Sequence, residues 1–213
     1  MTISPDNDIR EILYFIWELL KYIFTNIEAI YCTELNIIRS KIDTIPPKVP
    51  TNPIIIDFRE GVEMLQEYNP NISQSVYSDL NTLSEKEMGR MIKEKYDSDL
   101  FILVNYPTNA RPFYTMPNKD DPTFSNSFDI IFKGNEISSG SQRINDYEDL
   151  KKSIVEKNFD LTKLEYYTNA FMHGCKKHGG CGFGLERIVS LYLDLGNVKR
   201  ASFCPRDPDR LVP

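Results

Sequence analysis

A ten-residue segment near the middle of the chain constrains the fold more than any other part of the sequence. Phe128-Asp129-Ile130-Ile131-Phe132-Lys133-Gly134-Asn135-Glu136-Ile137 surrounds a glycine with apolar side chains and two acids, a pattern typical of a β-hairpin. The turn is Lys133-Gly134 or Gly134-Asn135, and in both registers Asp129 and Glu136 share one face. Two neighbouring carboxylates are costly unless they are hydrated, paired with positive charge or bound to a hard cation. The segment therefore predicts either a solvent-facing hairpin or a Mg²⁺ site.

The residues that follow the hairpin add polar groups within the length of one strand. Ser139 and Arg143 lie on one face of an unbulged strand, whereas Glu136 and Gln142 lie on the other. A twist, or an irregularity at Gly140, could bring the two faces together. The sequence leaves this point open.

The whole chain is predicted to divide into two parts, residues 1–45 and residues 46–213. Apolar side chains recur at helical spacing from Ile9 to Leu35, and Ser4-Pro5 suggests a helix start, so the first part is predicted to be one long amphipathic helix. The proline-rich segment from Ile45 to Pro53 ends it. In the second part, five consecutive apolar residues from 100 to 104 predict a central strand, and Ser84 with Glu87 predicts a capping box.

A second glycine cluster lies near the C-terminus. His178-Gly-Gly-Cys181-Gly-Phe-Gly184-Leu-Glu-Arg187 is predicted to form a loop that opens a helix from Leu185, which would favour bound anions. The segment matches neither the dinucleotide-binding nor the P-loop pattern, and a plain turn before a surface helix is the alternative. Zinc binding by Cys175, His178 and Cys181 is disfavoured, because all three are crowded into one loop.

Composition excludes several classes of protein. The 213 residues are 41% apolar and 26% charged, which excludes collagen-like and fully disordered chains and suits one domain with a sizeable core. The apolar run in the first helix is too short and too charged to cross a bilayer. The formal charge of −6 argues against bulk adhesion to nucleic acid or an anionic membrane. Four cysteines do not make a disulfide scaffold, so we expect a cytoplasmic protein without membrane partners.

Several segments, in unbroken order along nearly the whole chain, resemble the aspartyl-tRNA synthetases of the eukaryotic and archaeal type. The residues from Gly180 to Arg187 resemble motif 3 of class II aminoacyl-tRNA synthetases. The family's other signatures are similar to the segments 111–114, 125–129, 136–143 and 205–213. The resemblance implies an α/β (α+β) fold, with an antiparallel sheet flanked by helices. Motifs 1 and 2 are not found in the 213 residues, so the sequence is expected to be the C-terminal part of a catalytic domain.

The resemblance also implies an activity, a cofactor and roles for individual residues. Aspartate would be activated by ATP with Mg²⁺ and then transferred to tRNA(Asp), in a family whose full-length members are homodimers. Asp129 and Glu136 would hold the metal, and Arg143 with Ser139 and Gln142 would bind aspartate. Glu136, Gly180, Gly182, Gly184 and Arg187 would bind ATP, with Glu136 and Arg187 acting in catalysis.

Three alternatives stay open at this stage. A non-catalytic relative acting as an interaction protein would keep the fold without needing the acids and arginines. A tRNA-independent, asparagine synthetase-like enzyme or an asparaginyl-tRNA synthetase would share the site. Without the motif 2 arginine that grips the α-phosphate, the 213-residue chain is expected to be inactive alone. Cys181 stands where these enzymes usually have glycine, so the pocket could differ in shape.

Overall fold

One five-stranded sheet organises the chain, and its strands lie side by side in the order of the sequence. The computed structural model describes residues 1–4, 8–209 and 211. The strands are β1 (Ile55–Asp57), β2 (Leu100–Val104), β3 (Ser127–Phe132), β4 (Asn135–Gln142) and β5 (Gly179–Phe183). β2 to β5 pair in antiparallel fashion, whereas β1 lies parallel to β2. The prediction of a sheet flanked by helices is confirmed, and the parallel first strand makes the sheet mixed.

Seven α-helices surround the sheet within the described ranges. They are α1 (Arg10–Ile30), α2 (Cys32–Arg39), α3 (Phe58–Tyr68), α4 (Thr82–Tyr96), α5 (Tyr147–Glu156), α6 (Glu165–Asn169) and α7 (Leu185–Tyr192). Short 3₁₀ turns occur at Thr108–Ala110, Leu161–Leu164 and Val198–Ala201. None of the described helices is both long and apolar enough to cross a membrane.

The two faces of the sheet have separate cores. On one face, α1 packs its buried side chains against Leu100, Ile102, Phe128, Ile130 and Phe132. On the other face, α3 and α4 cover Phe101, Leu103 and Ile131. Because side chains alternate along a strand, the consecutive apolar residues of β2 serve both cores. The first 45 residues therefore share a core with the sheet.

Three details of the predicted helices were wrong. The first helix is interrupted at Tyr31, which leaves helical geometry between α1 and α2. α1 begins at Arg10 rather than near Ser4, and Pro5 lies outside the described residues, as do Arg210, Val212 and Pro213. α4 begins at Thr82, two residues before Ser84, and its cap is Asn81, whose side-chain oxygen accepts the Ser84 amide N–H at 2.9 Å.

The predicted capping box at Ser84 is therefore absent from α4. Ser84 lies inside the first turn, where its hydroxyl is buried without a partner among the described residues. Glu87 instead forms an ion pair with Arg90, one turn along the helix. A true cap at Asn81 satisfies the first free amide groups of the helix, so the box is not needed.

Candidate functional site

A β-bulge brings the predicted site residues of β4 onto one face of the sheet. Ile131 pairs with Glu136 but Ile130 pairs with Ser138, so Ile137 is an extra residue. Asp129 pairs with Ser139. Paired residues point to the same side, so Glu136, Asp129 and Ser139 share a face. The bulge, rather than Gly140, unites the two faces that an unbulged strand would separate.

The hairpin turn is the Lys133-Gly134 alternative. Both residues have positive φ, 47° and 68°, as a two-residue type I′ turn requires. The turn rests against α4, where a methyl group added at Gly89 would lie 2.4 Å from the Gly134 Cα. This contact fixes the N-terminal turns of α4 beside Glu136.

Asp129 is held in a buried ion pair that the sequence did not predict. Its two carboxylate oxygens accept from both terminal nitrogens of Arg111, at 2.6 and 3.1 Å. Arg111 Nη1 also donates to the Ser139 hydroxyl at 3.0 Å, and the guanidinium lies 3.8 Å from the Tyr106 ring centre. Asp129 is 3% exposed and Arg111 is 9% exposed. Arg111 therefore holds the Asp129 carboxylate on the face of the sheet that carries the site.

Glu136 is the more accessible of the two acids. Burial raises its pKa, the nearby charge of Asp129 raises it further, and Arg187 opposes the shift. The Arg187 guanidinium donates to the Glu136 carbonyl oxygen at 2.6 Å, which holds its charge beside the hairpin. At this end of the site, the Glu136 carboxylate and the exposed Arg187 guanidinium are both accessible to a ligand from solvent.

A third carboxylate, Glu85, approaches Glu136 from the first turns of α4. Burial raises the pKa of Glu85 to about 7, and the charge of Glu136 adds to the shift, although the Glu136 backbone N–H donates to the Glu85 carboxylate. Excess negative charge is therefore concentrated between α4 and β4. A cation placed there would relieve this repulsion.

Arg143 occupies the other end of the same face. Its guanidinium donates to the Ser141 hydroxyl at 2.8 Å and to the Gly180 carbonyl at 3.3 Å, and it lies 4.4 Å from the Tyr114 ring centre. It lies seven positions after Glu136 in the sequence, which is about 20 Å along a strand. Two guanidinium groups, Arg187 and Arg143, thus mark opposite ends of the face with the acids nearer Arg187.

The glycine cluster is an edge strand rather than the predicted loop. β5 pairs with β4 so that Gly180 lies opposite Ser141 and Gly182 lies opposite Ser139, on the site face. A methyl group at either glycine would meet nothing within 4 Å, so both leave open space above the sheet. Gly184 precedes α7 and donates its N–H to the Ile137 carbonyl at 2.9 Å.

Cys181 points away from this open space. It pairs with Gly140 and packs against the α1 core, where burial raises the pKa of its thiol. Cys175 Sγ lies 3.5 Å from His178 Nδ1, but no group of three or more metal-binding side chains occurs in the described ranges. The substitution of cysteine at position 181 therefore leaves the surface facing the site unchanged.

Gln142 does not join the other predicted site residues. It pairs with Gly179 on the α1 side of β4, where its side-chain oxygen Oε1 accepts from Asn126 Nδ2 at 3.1 Å. The structure thus brings together Asp129, Glu136, Ser139, Arg143, Arg187 and the glycines 180 and 182. It adds Arg111, Tyr114 and Glu85, which sequence reasoning had given no role. Only the first two carried a signal, because they belong to the motif segment 111–114.

Comparisons with known proteins identify the family to which this chain belongs. The family model described as "tRNA synthetases class II (D, K and N)" matches residues 4–208. Aspartate–tRNA ligase 1, cytoplasmic, of Arabidopsis thaliana is 40% identical over 203 residues, covering 95% of this chain and 38% of that protein. The cytoplasmic enzyme 1 of Dictyostelium discoideum is 40% identical over 195 residues, covering 92% and 34%. The chain spans between a third and two fifths of the length of these relatives.

Solved structures show the same likeness. An aspartyl tRNA synthetase from Entamoeba histolytica has a TM-score of 0.94 and 38% identity, covering all of this chain and 43% of that one. An asparaginyl-tRNA synthetase from Pyrococcus horikoshii has a TM-score of 0.86 and 27% identity, covering 98% of this chain and 48% of that one. The resemblance inferred from the sequence motifs is confirmed.

Proposed function

Because this chain belongs to the class II tRNA synthetases of the D, K and N type, we propose that it carries the aspartate and ATP phosphate sites of an aspartate–tRNA ligase. The reaction would be ATP-dependent formation of aspartyl adenylate, followed by transfer to tRNA(Asp) in the cytoplasm. One observation carries the proposal: Arg143 and Arg187 mark opposite ends of one open face, with Glu136 near Arg187 and glycines along the edge. Such a face suits an extended ligand with a carboxylate at one end and phosphates at the other.

Arg143 is the residue that we expect to select aspartate. Its guanidinium can form two parallel hydrogen bonds with a carboxylate, whereas the amide of asparagine offers only one acceptor oxygen. Ser141, the Gly180 carbonyl and the Tyr114 ring fix its orientation. Ser139 stands four residues before Arg143 on the same face, and its hydroxyl already accepts from Arg111. The charge and geometry of this end therefore favour aspartate over asparagine.

Glu136 and Arg187 would handle the phosphates. Mg²⁺ prefers oxygen ligands and often bridges phosphates, so Glu136, which is half-buried and lies near the charge of Asp129, is suited to hold it. Bound Mg²⁺ would neutralise phosphate charge as the adenylate forms. Arg187 would grip outer phosphate oxygens, and Gly180 and Gly182 leave room for close approach. These residues would act by positioning and charge neutralisation, without a covalent enzyme intermediate.

Binding of aspartate to the 213-residue chain tests the proposal. We expect saturation-transfer NMR to detect aspartate, more weakly asparagine, and Arg143→Ala to weaken aspartate binding about 10- to 100-fold, since a charge-assisted pair is lost. Arg200→Ala, at an exposed arginine of the C-terminal 3₁₀ turn, is the matched control. Equal binding of both amino acids, or equal effects of the two variants, would contradict the role of Arg143. An interaction protein without a substrate site would bind neither amino acid.

Adenylation by the same polypeptide is a separate prediction. No motif 2 arginine occurs within the 213 residues, so we expect aspartate-dependent ATP–pyrophosphate exchange at background level. A rate well above background, abolished by Arg187→Ala, would show that these residues suffice for activation. The exchange assay therefore measures catalysis independently of aspartate binding.

A further inference from the structure

Two polar contacts attach α7 to the β3–β4 hairpin, one near each end of the helix. Near the start of the helix, Arg187 donates to the Glu136 carbonyl oxygen at 2.6 Å. Just past the end of the helix, the Asp194 carboxylate accepts from Lys133 Nζ at 2.7 Å. The Thr44 hydroxyl donates to the same Asp194 oxygen at 2.6 Å, which helps to fix the carboxylate. The helix that carries Arg187 is therefore held to the hairpin at two points.

Both members of the ion pair have a backbone conformation that is unfavourable for most side chains. Lys133 has a φ of 47° and Asp194 has a φ of 48°, so both lie in the left-handed region. At the first central position of a type I′ turn, asparagine, aspartate and glycine are preferred to lysine. Strained residues persist where their surroundings hold them, and they cluster at functional sites. The Lys133 side chain is only 18% exposed, so the lysine serves the contact with Asp194 better than it serves the turn.

A cavity of about 410 Å³ lies between the two contacts. It is lined by Asn135 of the hairpin, by Lys86 of α4, and by Arg187, Ser190 and Asp194 on the α7 side. The side chains of the described residues leave this space unfilled, so packing does not fix the distance between the hairpin and this side of the helix. Arg187 is itself exposed, so its reach depends on where the helix places it. The position of Arg187 should therefore depend on the contact at the far end of α7.

We infer that Lys133 and Asp194 are positioning residues for Arg187. Their ion pair holds the end of α7 against the hairpin, so that the guanidinium stays beside the Glu136 carbonyl, where it can grip phosphate oxygens. The inference rests on the phosphate role proposed for Arg187. Arg143 is held by β4 and β5 instead, so the ion pair should affect phosphate binding and leave aspartate binding unchanged.

Binding of ATP and of aspartate to the 213-residue chain tests the inference, by calorimetry and by saturation-transfer NMR respectively. Lys133→Asn is the informative variant, because asparagine suits the left-handed turn position but lacks the ammonium group. We expect ATP binding to weaken about fivefold and aspartate binding to stay within about twofold, with a melting temperature that is unchanged or higher. Equal losses for both ligands, together with a lower melting temperature, would mean that the pair only stabilises the fold and would overturn the inference.

Asp194→Asn separates positioning from an effect of net charge. It removes the other member of the pair, keeps an acceptor for the Thr44 hydroxyl, and changes the net charge in the opposite direction from Lys133→Asn. An effect of net charge alone would tighten ATP binding in Asp194→Asn, whereas positioning predicts that both variants weaken it. The double variant should bind ATP no more weakly than either single variant, because both break the same contact. The matched control is Lys48→Asn, which removes an exposed ion pair with Asp97, another residue with positive φ, between the proline-rich segment and the end of α4.

The side-chain N–H signals of Arg187 in NMR spectra provide a readout that needs no ligand. They are assigned by their loss in Arg187→Lys, and we expect them to shift in Lys133→Asn and Asp194→Asn but not in Lys48→Asn. Unshifted signals in both pair variants would overturn the inference, as would ATP binding that Arg187→Ala weakens but Lys133→Asn does not. If the signals shift but Arg187→Ala leaves ATP binding unchanged, the proposed phosphate role fails while the positioning of Arg187 stands. If Lys133→Asn does not fold, as near-ultraviolet circular dichroism would show, Asp194→Asn decides alone.

Discussion

Glu85 offers the sharpest test of the electrostatics between α4 and the hairpin. Burial first, and the charge of Glu136 second, raise its pKa from 4.5 to about 7. The folded chain therefore binds this proton more tightly than the unfolded chain. Stability is highest below about pH 4.5 and is lost as the pH rises towards 7. Above pH 7, the ionised carboxylate remains a destabilising charge.

The size of this effect follows from the shift. A difference of about 2.5 pKa units corresponds to about 3.4 kcal/mol. Glu85 is only half-buried, so solvent screening reduces the expected contribution to about 1 to 1.5 kcal/mol. Glu85→Gln keeps the shape and an acceptor for the Glu136 N–H but cannot ionise. We therefore expect the variant to be about 1 kcal/mol more stable than the unmodified chain at pH 8 and equally stable at pH 4.5.

Urea unfolding at the two pH values, in low salt, measures the difference directly. Glu63→Gln is the matched control, because Glu63 is exposed on α3 on a surface away from the hairpin. The control should leave the difference between the two pH values unchanged. If Glu85→Gln shifted the free energy of unfolding equally at both pH values, the charge of Glu85 would not be the cause. The proposed concentration of negative charge beside Glu136 would then be wrong.

Three further predictions concern two glycines and the start of α4. A methyl group at Gly89 would lie 2.4 Å from the Gly134 Cα, so Gly89→Ala should lower the free energy of unfolding by about 2 kcal/mol, as measured in urea. Gly182→Ala should change the free energy of unfolding by no more than about 0.5 kcal/mol. It should weaken Mn²⁺–ATP binding, measured by calorimetry, because the added methyl group enters the open face. Equal losses of stability in Gly89→Ala and Gly182→Ala would contradict this prediction. Asn81→Ala should cost about 1 kcal/mol in thermal unfolding through loss of the cap, whereas Ser84→Ala, at the wrongly predicted cap, should cost less.

The sequence predicts the hairpin and the central strand because both depend on local pattern. Lys133-Gly134 suits a turn with two positive φ values, and five apolar residues in β2 can be buried on both faces. The bulge at Ile137 carries no such signal, since an extra apolar residue looks like any other position of the strand. It nevertheless decides that Ser139 joins the face that Glu136 shares with Asp129.

Tertiary pairing explains the other differences. Glycine has low strand propensity, so residues 179–183 look like a loop until β4 provides a hydrogen-bonding edge. Arg111 and Asp129 are 18 residues apart, and no periodicity links a residue after a 3₁₀ turn to the middle of β3. The family motif identifies the segment that contains Arg111, but only the fold shows which carboxylate it neutralises.

The position of the site follows from where the helix layer ends. α3 and α4 cover Phe101, Leu103 and Ile131, and on that side of the sheet Gly180 and Gly182 of β5 leave open space. The helix layer ends where Gly89 of α4 contacts Gly134 of the hairpin turn. The same contact places Glu85 beside Glu136. A change at this contact should therefore disturb the proposed cation site before it disturbs Arg143, which is fixed by β5 and Tyr114. Gly89→Ala should accordingly weaken Mn²⁺ binding more than aspartate binding under conditions where the chain stays folded, and equal weakening would mean that the two ends of the face move as one unit.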